Sequence, residues 1–330
     1  MKKRILSGMR TTGRLHLGHY FGTLRNWIKL QDEYDCYYMA SDLHALTTEY
    51  ADTSKITENI FEMVTDWLTV GLDPEKSVIF KQSAVHDHSE LFLILSMITP
   101  LGWLQRCPTY KEQIREIKNK DLNNYGFLGY PVLMAADIFL YKANLVPVGE
   151  DQLSHLEFTR ELARRFNNFY GEVLVEPLEL LSESAKVPGI DGKKMSKSYG
   201  NSIFLGETDD VIKEKVKNMF TDPLKIKKDD HGHPDGCVVI KFYEIFSKGS
   251  DKYPSFNQKE KDCKAGDIGC SICKKQLTEM LSDFMKPLAE KRKTIISDKA
   301  YLEKVVIEGS KKAEEYAHKT MTEIHKALKF

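Results

Sequence analysis

Five short apolar runs in the first 175 residues alternate with segments of helical periodicity. The runs cover residues 5–8, 36–40, 78–80, 145–148 and 173–175. Between them, residues 53–70 carry apolar side chains at helical spacing and end at Gly71. Strands separated by helices usually pair in parallel, because each crossover helix returns the chain to the same edge of the sheet. The sequence therefore predicts an α/β fold, a doubly wound parallel sheet of the Rossmann-like type.

The strand pattern is lost after Asn201. Charged helical patterns follow over residues 209–220, 274–291 and 308–328. We therefore expect a Rossmann-like domain over residues 1–202 and a mostly helical domain, with little apolar core, over residues 203–330. The pattern leaves open whether the last helix, 308–328, stays with the second domain or packs back on the first.

Charge is balanced, with 48 basic and 48 acidic side chains in 330 residues. Net charge therefore argues neither for nor against a nucleic-acid partner, and any such contact needs a local basic group such as residues 164–165 or 225–228. No apolar run is long enough to span a bilayer, and the basic first four residues are not followed by the apolar stretch of a signal peptide. We expect a cytoplasmic protein with no membrane partner.

A pair of histidines, His16 and His19, opens the helical pattern of residues 17–30 directly after the first predicted strand. The unpaired N–H groups and the dipole at a helix start favour an anion, and side chains three residues apart share one face. Gly18 between them leaves the backbone open to close approach. The pattern is consistent with phosphate binding, and an ordinary surface histidine pair is the alternative.

A second charged segment, residues 191–198, contains three lysines and two serines and lies between Gly189 and Gly200. A solvated basic loop is the ordinary interpretation. Transfer at phosphorus needs in-line positioning and positive charge on the leaving pyrophosphate, which mobile lysines such as Lys194 and Lys197 can supply. Together with the histidine pair, the loop predicts a site that splits a nucleoside triphosphate.

The two motifs resemble the HIGH and KMSKS signatures of the class I aminoacyl-tRNA synthetases, and the residues between them are most similar to the tryptophanyl-tRNA synthetases. The similar stretches are residues 8–20, 42–47, 130–138, 146–152 and 194–198, within residues 1–202. Two positions differ from the family pattern. Thr11 replaces the usual proline, which predicts a looser turn, and Arg10 stands where glutamine is more frequent.

The resemblance implies activation of L-tryptophan with ATP and Mg²⁺, and transfer to the 3′ end of tRNA(Trp). It implies that residues 203–330 bind the anticodon and that the enzyme is a homodimer, for which the helical patterns of residues 89–99 and 112–120 are long enough to supply a face. The catalytic residues that it implies are His16, His19, Lys111, Lys194 and Lys197. The residues that it implies for ATP are Arg10, Thr11, Thr12, Gly18, His19, Gly149, Glu150, Asp151, Val187, Lys194, Met195, Ser196, Lys197 and Ser198. Asp151 could instead cap the helix that follows.

One carboxylate, Asp137, lies in the otherwise apolar run of residues 132–141, which reads as a helix opened by Pro131. A buried charge needs a partner, and Lys142 or an arginine is the ordinary one. An indole N–H is only a donor, so a carboxylate acceptor suits it. The resemblance gives Asp137 this role. The other tryptophan-binding residues that it implies are Tyr130 and Gln152 for the α-amino group, Met134, Val146 and Val148 for the pocket wall, and His44 nearby.

Four of the six cysteines cluster in the second half of the chain. Cys237, Cys263, Cys270 and Cys273 have the spacing C-x25-C-x6-C-x2-C, which in a cytoplasmic enzyme favours metal ligation over disulfides. Four thiolates suit a tetrahedral zinc ion or a [4Fe–4S] cluster. The resemblance to a subgroup of tryptophanyl-tRNA synthetases favours [4Fe–4S], with zinc or unligated thiols as alternatives.

Three other functions stay open at this point. A tyrosyl-tRNA synthetase fits because a phenol can also donate one hydrogen bond to an aspartate. A nucleotidylyltransferase of the same superfamily would share the histidine motif, although it lacks the long second domain and the lysine loop. A nucleic-acid-binding or iron–sulfur scaffold with an inactive site is the third.

Overall fold

The computed structural model describes residues 2–116, 121–181, 186–248 and 252–330, without the side chains of Thr109, Gln113, Arg115, Glu116 and Asp151. The chain forms two compact units. The first unit comprises Met1–Gly13, Trp27–Ser182 and Asp298–Phe330, and the second comprises Arg14–Asn26 and Glu183–Ser297. This division differs from the expected boundary between residues 202 and 203. The segment that carries the histidine motif belongs to the second unit, and the chain after Ser297 belongs to the first.

The first unit contains a five-stranded parallel sheet, which confirms the predicted α/β class. The strands are β1 (Arg4–Arg10), β2 (Asp35–Ser41), β3 (Ser77–Lys81), β4 (Leu145–Val148) and β5 (Leu178–Leu181). Their order in the sheet is β3-β2-β1-β4-β5, and every pairing is parallel. The order reverses direction at β1, and in such sheets ligands bind beyond the carboxyl ends of the strands at this point.

The fifth predicted strand, residues 173–175, is wrong, and β5 lies five residues further along. The side chain of Asn167 is the cause. Its Oδ1 accepts hydrogen bonds from the N–H groups of Val173 and Leu174, at 3.1 and 2.9 Å. These N–H groups close the end of a helix, so they are occupied and the chain reaches the sheet only at Leu178.

Helices account for most of the remaining described residues. In chain order they are α1 (Leu17–His19), α2 (Arg25–Glu33), α3 (Asp42–Glu49), α4 (Ile56–Val70), α5 (Asp87–Ile98), α6 (Leu101–Arg106), α7 (Pro108–Glu116), α8 (Tyr125–Leu128), α9 (Tyr130–Leu140), α10 (Leu153–Tyr170), α11 (Asp209–Lys217), α12 (Val238–Ser247), α13 (Phe256–Ala265), α14 (Cys270–Ser297) and α15 (Lys299–Leu328). A π-helical turn, Tyr20–Leu24, joins α1 to α2. None of the described helices is both long and apolar enough to cross a membrane.

Several predicted helix ends agree with the structure. Helix α4 ends at Gly71, whose φ of 117° lies in the left-handed region that favours glycine. Helix α9 has Pro131 in its first turn, as predicted. The predicted helix 112–120 overlaps α7, and its residues 117–120 lie outside the described ranges.

The second unit has a larger apolar core than the sequence suggested. Helix α12 buries seven side chains, and α14 packs against it with Leu277, Leu281 and Met285 fully or almost fully buried. The expectation of little apolar core there is therefore wrong. The sequence analysis did not predict α12, although its polar residues Lys241, Glu244 and Ser247 lie on one face at helical spacing.

The last helix, α15, packs on β3 of the first unit. Contact is closest at Gly309, where an added Cβ would lie 1.8 Å from the carbonyl oxygen of Ile79. The next residue, Ser310, accepts a hydrogen bond at its hydroxyl from the N–H of Lys81, at 3.2 Å. The chain thus ends on the sheet with which it began.

This packing predicts that Gly309→Ala destabilises the protein. The methyl group would overlap the main chain of β3, which cannot yield without breaking strand pairing, so the free energy of unfolding should fall by about 3 kcal/mol or more. Urea unfolding followed by circular dichroism measures the change.

The matched control is Gly102→Ala in α6, where an added Cβ meets no atom within 4 Å. Alanine is the better helix former, so this variant should be unchanged or more stable by up to about 1 kcal/mol. Equal unfolding curves for the two variants would contradict the close packing of α15 on β3.

Candidate active site

The histidine pair lies at the start of α1 in the second unit. Its two imidazole rings are 3.9 Å apart between centroids. The main-chain N–H of His16 donates to Nδ1 of His19 at 3.3 Å. A neutral His19 therefore carries its proton on Nε2, which leaves that N–H to donate elsewhere. The Nδ1 atom of His16 is buried without a hydrogen-bond partner among the described residues, as expected of a group that awaits a ligand.

Both histidines are neutral in the free protein. Burial, with Lys197 as a second cause, lowers the pKa of His16 to about 4. Burial, His16 and Lys197 together lower the pKa of His19 to about 3. The pair therefore offers hydrogen bonds at neutral pH and no positive charge. Gly18 is needed for this geometry, since an added Cβ would lie 2.8 Å from Cε1 of His16. The imidazole of His16 thus occupies the space next to Gly18 that the sequence analysis expected to be open to close approach.

Backbone pairing joins the histidine segment to the chain that follows the lysine loop. His16 and Phe204 form an antiparallel bridge. Leu17 donates to the carbonyl of Ile203, and Leu205 donates to the carbonyl of Leu15, both at 2.9 Å. A Cβ on Gly18 would lie 3.8 Å from Cβ of Met195. The structure therefore brings the two predicted motifs together within the second unit.

The lysine loop is folded on the side chain of Asn201, which is buried. Its Oδ1 accepts from the N–H of Ser196 at 2.8 Å. Its Nδ2 donates to Oδ1 of Asp191 at 2.8 Å and to the carbonyl of Lys194 at 3.2 Å. Gly189 makes room for it, because an added Cβ would lie 2.2 Å from Nδ2. One amide thus holds both ends of the loop.

The predicted residues of this loop divide by exposure. Met195 and Val187 are buried, and the N–H of Met195 donates to the carbonyl of Val187 at 3.3 Å. Lys194 is exposed and Lys197 is half-buried. The hydroxyls of Ser196 and Ser198 are hydrogen-bonded to each other at 2.9 Å. The loop therefore anchors an apolar pair and leaves ammonium groups accessible.

A second group of predicted residues lies in the first unit, around Asp137 on α9. The aspartate is 2% exposed. Its Oδ2 is 2.8 Å from Nε2 of His44, and its Oδ1 is 2.8 Å from Nε2 of Gln82 and 2.6 Å from Nδ1 of His88. Burial raises its pKa, but the contacts with His44 and His88 outweigh burial and lower the pKa below its usual value. Asp137 is therefore an ionised acceptor.

The sequence analysis gave Lys142 or an arginine as the ordinary partner of Asp137, and this interpretation was wrong. Lys142 pairs with Glu323 of α15 at 2.5 Å. Histidine and amide donors on three other elements hold the carboxylate instead, which keeps a lysine charge out of the first unit's core.

The remaining predicted tryptophan-binding residues lie on neighbouring elements of the first unit. Tyr130 and Met134 are on α9, and Val146 and Val148 are buried on β4. The hydroxyl of Tyr130 is 3.2 Å from Nε2 of His155. Gln152 ends the 3₁₀ turn Glu150–Gln152 directly after β4. Of these residues, Val148 and Gln152 lie at or directly after the carboxyl end of β4, the edge at which such sheets bind ligands.

The predicted nucleotide-binding residues of the first unit lie at strand ends or on exposed helix. Arg10 ends β1, burial lowers its pKa, and its Nε is buried without a partner among the described residues. The hydroxyl of Thr11 is likewise buried without a hydrogen-bond partner among the described residues. Such unsatisfied buried groups indicate a place for a polar ligand. The other members of this set are Thr12 after β1, Gly149 and Glu150 after β4, and exposed Lys111 on α7; the side chain of Asp151 lies outside what the structure describes.

The four clustered cysteines line one small cavity in the second unit. Thr221, Val239, Ile240 and Ile268 complete its wall. Gly232 packs against Cys263, where an added Cβ would lie 2.5 Å from Sγ. Within the described ranges, however, no group of three or more His, Cys, Asp or Glu side chains has the arrangement to hold a metal ion. Cys36 and Cys107 are buried outside this cavity.

Sequence reasoning missed several residues of these sites. Gln82, His88 and Tyr141 contact Asp137 directly or through one another, His155 contacts Tyr130, and Asn201 holds the loop. Gln82 follows a strand at the carboxyl edge of the sheet, which is a usable signal. The others had none, because the sequence around a polar residue does not show which distant side chain it meets.

Comparison with known proteins gives one consistent result. A family model described as tRNA synthetases class I (W and Y) matches residues 1–286. The tryptophan–tRNA ligase of Thermotoga maritima is 48% identical over 98% of both chains. That of Aquifex aeolicus is 43% identical over 98% of this chain and 99% of its own.

Solved structures agree. The tryptophanyl-tRNA synthetase of Campylobacter jejuni, complexed with ADP and tryptophan, superposes with a TM-score of 0.88 at 31% identity, covering 99% of this chain and 100% of its own. A tyrosyl-tRNA synthetase from Archaeoglobus fulgidus reaches 0.67 at 21% identity over 89% of this chain and 90% of its own, a likeness of fold alone. With the family model over most of its length and close full-length relatives of one kind, the chain belongs to the tryptophanyl-tRNA synthetases of class I.

Proposed function

We propose that this enzyme joins the carboxylate of L-tryptophan to the α-phosphorus of ATP, with Mg²⁺ accompanying the nucleotide, and releases pyrophosphate. The tryptophanyl group then passes to the ribose hydroxyl at the 3′ end of tRNA(Trp), and AMP leaves. The observation that carries the proposal is the pairing of the histidine segment with residues 203–205, which directly follow the lysine loop in the same compact unit. The similar structure from Campylobacter jejuni, which is complexed with ADP and tryptophan, supports the proposal.

His16 and His19 act as neutral hydrogen-bond donors to the phosphates. Their low pKa values mean that charge stabilisation falls to the lysines, and Lys194 and Lys197 neutralise the departing pyrophosphate. Lys111 supplies further charge. The nucleotide itself is bound by the set expected from the resemblance, with Arg10 and Thr11 offering unsatisfied buried groups.

Tryptophan is held by Asp137, which accepts the indole N–H, while Tyr130 and Gln152 bind the α-amino group. Met134, Val146 and Val148 form the wall, and His44 supports Asp137. A site built around a buried hydrogen bond strongly rejects a ring that cannot make it. Tyrosine stays the rival substrate on chemistry alone, and the relatives favour tryptophan.

The lysine assignment predicts a loss of turnover without a loss of tryptophan affinity. Lys194→Ala and Lys197→Ala should each lower kcat of tryptophan-dependent pyrophosphate exchange by about 100-fold, because their charge acts on the leaving group. The KM for tryptophan should change by less than about twofold. Exchange of labelled pyrophosphate into ATP measures both.

Lys213→Ala, at an exposed position of α11, is the matched control and should leave both constants unchanged. A variant of Lys194 or Lys197 that raises KM for tryptophan and keeps its turnover would refute the assignment. Pyrophosphate exchange that depends on tyrosine, and not on tryptophan, would identify tyrosine as the substrate.

The second unit also presents a surface suited to the anticodon end of the tRNA. Ile226 and Leu224 are 87% and 69% exposed, and Lys227 and Lys228 flank them in solvent. Apolar and cationic groups side by side suit unstacked bases and phosphates. Arg164 is less suited, since Glu157 and Glu176 neutralise it.

We propose that the cysteine cavity holds a [4Fe–4S] cluster, with zinc as the alternative. Four thiols line the cavity. The spacing of the four cysteines and the resemblance to a subgroup of tryptophanyl-tRNA synthetases favour the cluster. Cys237, Cys263, Cys270 and Cys273 would hold it, and its part would be structural, bracing α12 to α14 beside the exposed loop.

Protein purified without oxygen should therefore be brown and contain about four irons and four sulfides per chain. Cys237→Ser and Cys270→Ser should lose both, keep pyrophosphate exchange, and lose aminoacylation of tRNA because the exposed loop is no longer held. Iron, sulfide and zinc analysis with the two activity assays makes the measurement.

Cys36→Ala and Cys107→Ala, buried outside the cavity, are the controls and should retain iron. One zinc ion per chain, without iron or sulfide, would show that the four cysteines bind zinc and not a cluster. Absence of both metals from the wild-type protein would show unligated thiols.

We further propose a cytoplasmic homodimer formed through α5 and α6. Leu93 and Met97 lie one turn apart and are 55% and 74% exposed, and Leu101 adds a third exposed apolar side chain. Such a row suits a second copy of the same surface.

Light scattering should give about twice the chain mass of 37.9 kDa for the wild type and a single chain mass for Met97→Glu, because a charge in the interface is not compensated. Leu178→Glu, at a position on β5 that is 57% exposed, should stay dimeric. A monomeric wild type would reject the dimer.

A further inference from the structure

Behind Asp137 lies a buried histidine that the proposed function does not use. His88 on α5 is fully buried. Its Nδ1 is 2.6 Å from Oδ1 of Asp137, and its Nε2 is 2.8 Å from the hydroxyl of Tyr141. Because an ionised carboxylate only accepts hydrogen bonds, Nδ1 of His88 carries a proton and donates it. Tyr141 is also fully buried, so the three groups form a closed relay away from water.

Gln82 ties the other side of the carboxylate to the helix that carries His44. Its Nε2 donates to Oδ1 of Asp137 at 2.8 Å. Its Oε1 accepts from the N–H groups of Leu43 and His44, at 3.2 and 3.4 Å, in the first turn of α3. The position of His44 is therefore coupled to the position of Asp137.

The number of acceptor positions left on Asp137 decides what it can bind. A carboxylate oxygen accepts about two hydrogen bonds. Among the described residues, Oδ1 receives two, from Gln82 and His88, and Oδ2 receives one, from His44. One position remains, on Oδ2. An indole N–H supplies one donor and asks for no donor in return, whereas a phenol oxygen would also need a partner for its own lone pairs.

We propose that His88, backed by Tyr141, is a positioning and specificity-determining residue that saturates Oδ1 and leaves Oδ2 as a single acceptor for the indole N–H. The inference rests on the proposed role of Asp137 in tryptophan binding. It differs from that role because His88 and Tyr141 act on the substrate only through Asp137.

Titratable groups on several elements face this relay. His44 of α3, His88 of α5 and Tyr141 after α9 contact or adjoin Asp137, and Asp87 and Tyr37 lie close enough to act on Tyr141 electrostatically. Removal of the His88 contact takes away one of the interactions that lower the pKa of Asp137. As the pH falls, the carboxylate of Asp137 should then be protonated at a higher pH than in the wild type. Tryptophan binding should therefore be lost at a higher pH.

The experiment compares four variants by tryptophan-dependent pyrophosphate exchange. His88→Leu removes the donor, His88→Asn keeps a donor near the place of Nδ1, Tyr141→Phe removes the backing hydroxyl, and Asp137→Asn removes the acceptor charge. His86→Asn, two residues away and exposed, is the control. The probes are tryptophan and 3-benzothienylalanine, in which sulfur replaces the indole N–H. Circular dichroism melts confirm folding.

The wild type should prefer tryptophan over the benzothienyl probe by about 100-fold in kcat/KM, since the probe leaves a buried acceptor unpaired. His88→Leu should raise KM for tryptophan about tenfold, reduce this preference about tenfold, and leave KM for ATP unchanged. Tyr141→Phe should show a smaller loss, about threefold, and His88→Asn should retain most of the preference. As the pH is lowered, the KM for tryptophan should begin to rise at a higher pH in His88→Leu than in the wild type.

Two outcomes separate failure of the inference from failure of the proposed function. If the wild type does not discriminate between the probes and Asp137→Asn changes nothing, Asp137 does not bind the indole and both fail. If Asp137→Asn abolishes the preference while His88→Leu and Tyr141→Phe keep it, only the relay is overturned. Should His88→Leu not fold, Tyr141→Phe decides alone, and an unchanged preference in it overturns the inference.

Discussion

The antiparallel pairing of residues 15–17 with residues 203–205 is the contact on which the proposed nucleotide chemistry depends. It joins segments almost two hundred residues apart through main-chain hydrogen bonds. Since the side chains at these positions are not needed for the pairing, His16 is available for chemistry while its backbone is fixed. The histidine motif therefore belongs to the same compact unit as the lysine loop, although its sequence neighbours on both sides belong to the other.

The same pairing determines how charge is divided in the site. It helps to bury His16, and Lys197 lies near enough to oppose a second positive charge. Burial and repulsion act in one direction, so the histidines are neutral donors at neutral pH. Lys194 is exposed and Lys197 is half-buried, so both lie nearer to solvent than the buried His16. Hydrogen-bond geometry and charge are thus supplied by different residues, each in the environment that suits it.

Local patterns predicted those features that arise from local physics. Four strands, the end of α4 at Gly71 and the first turn of α9 follow from apolar periodicity, glycine conformation and proline geometry. The features that were missed depend on long-range contacts. The shift of β5 comes from one side chain, Asn167, that occupies two N–H groups. The partners of Asp137 come from three elements far apart in sequence, and no single segment shows that they meet.

The cluster around Asp137 shows why such a site has to be rigid. Burying an aspartate, a histidine, a glutamine and a tyrosine in the first unit, with a second histidine half-buried, would cost several kcal/mol if their polar atoms were unpaired. Nearly all of that cost is offset by bonds that the groups make with one another, so loss of any member leaves its neighbours unsatisfied. A network of this kind has few alternative arrangements of similar energy. The carboxylate proposed to accept the indole N–H is therefore held by the same interactions that keep the core folded, whereas the lysine loop is held by the amide of Asn201 together with main-chain hydrogen bonds, such as those from Met195 to Val187 and from Gly189 to Lys193.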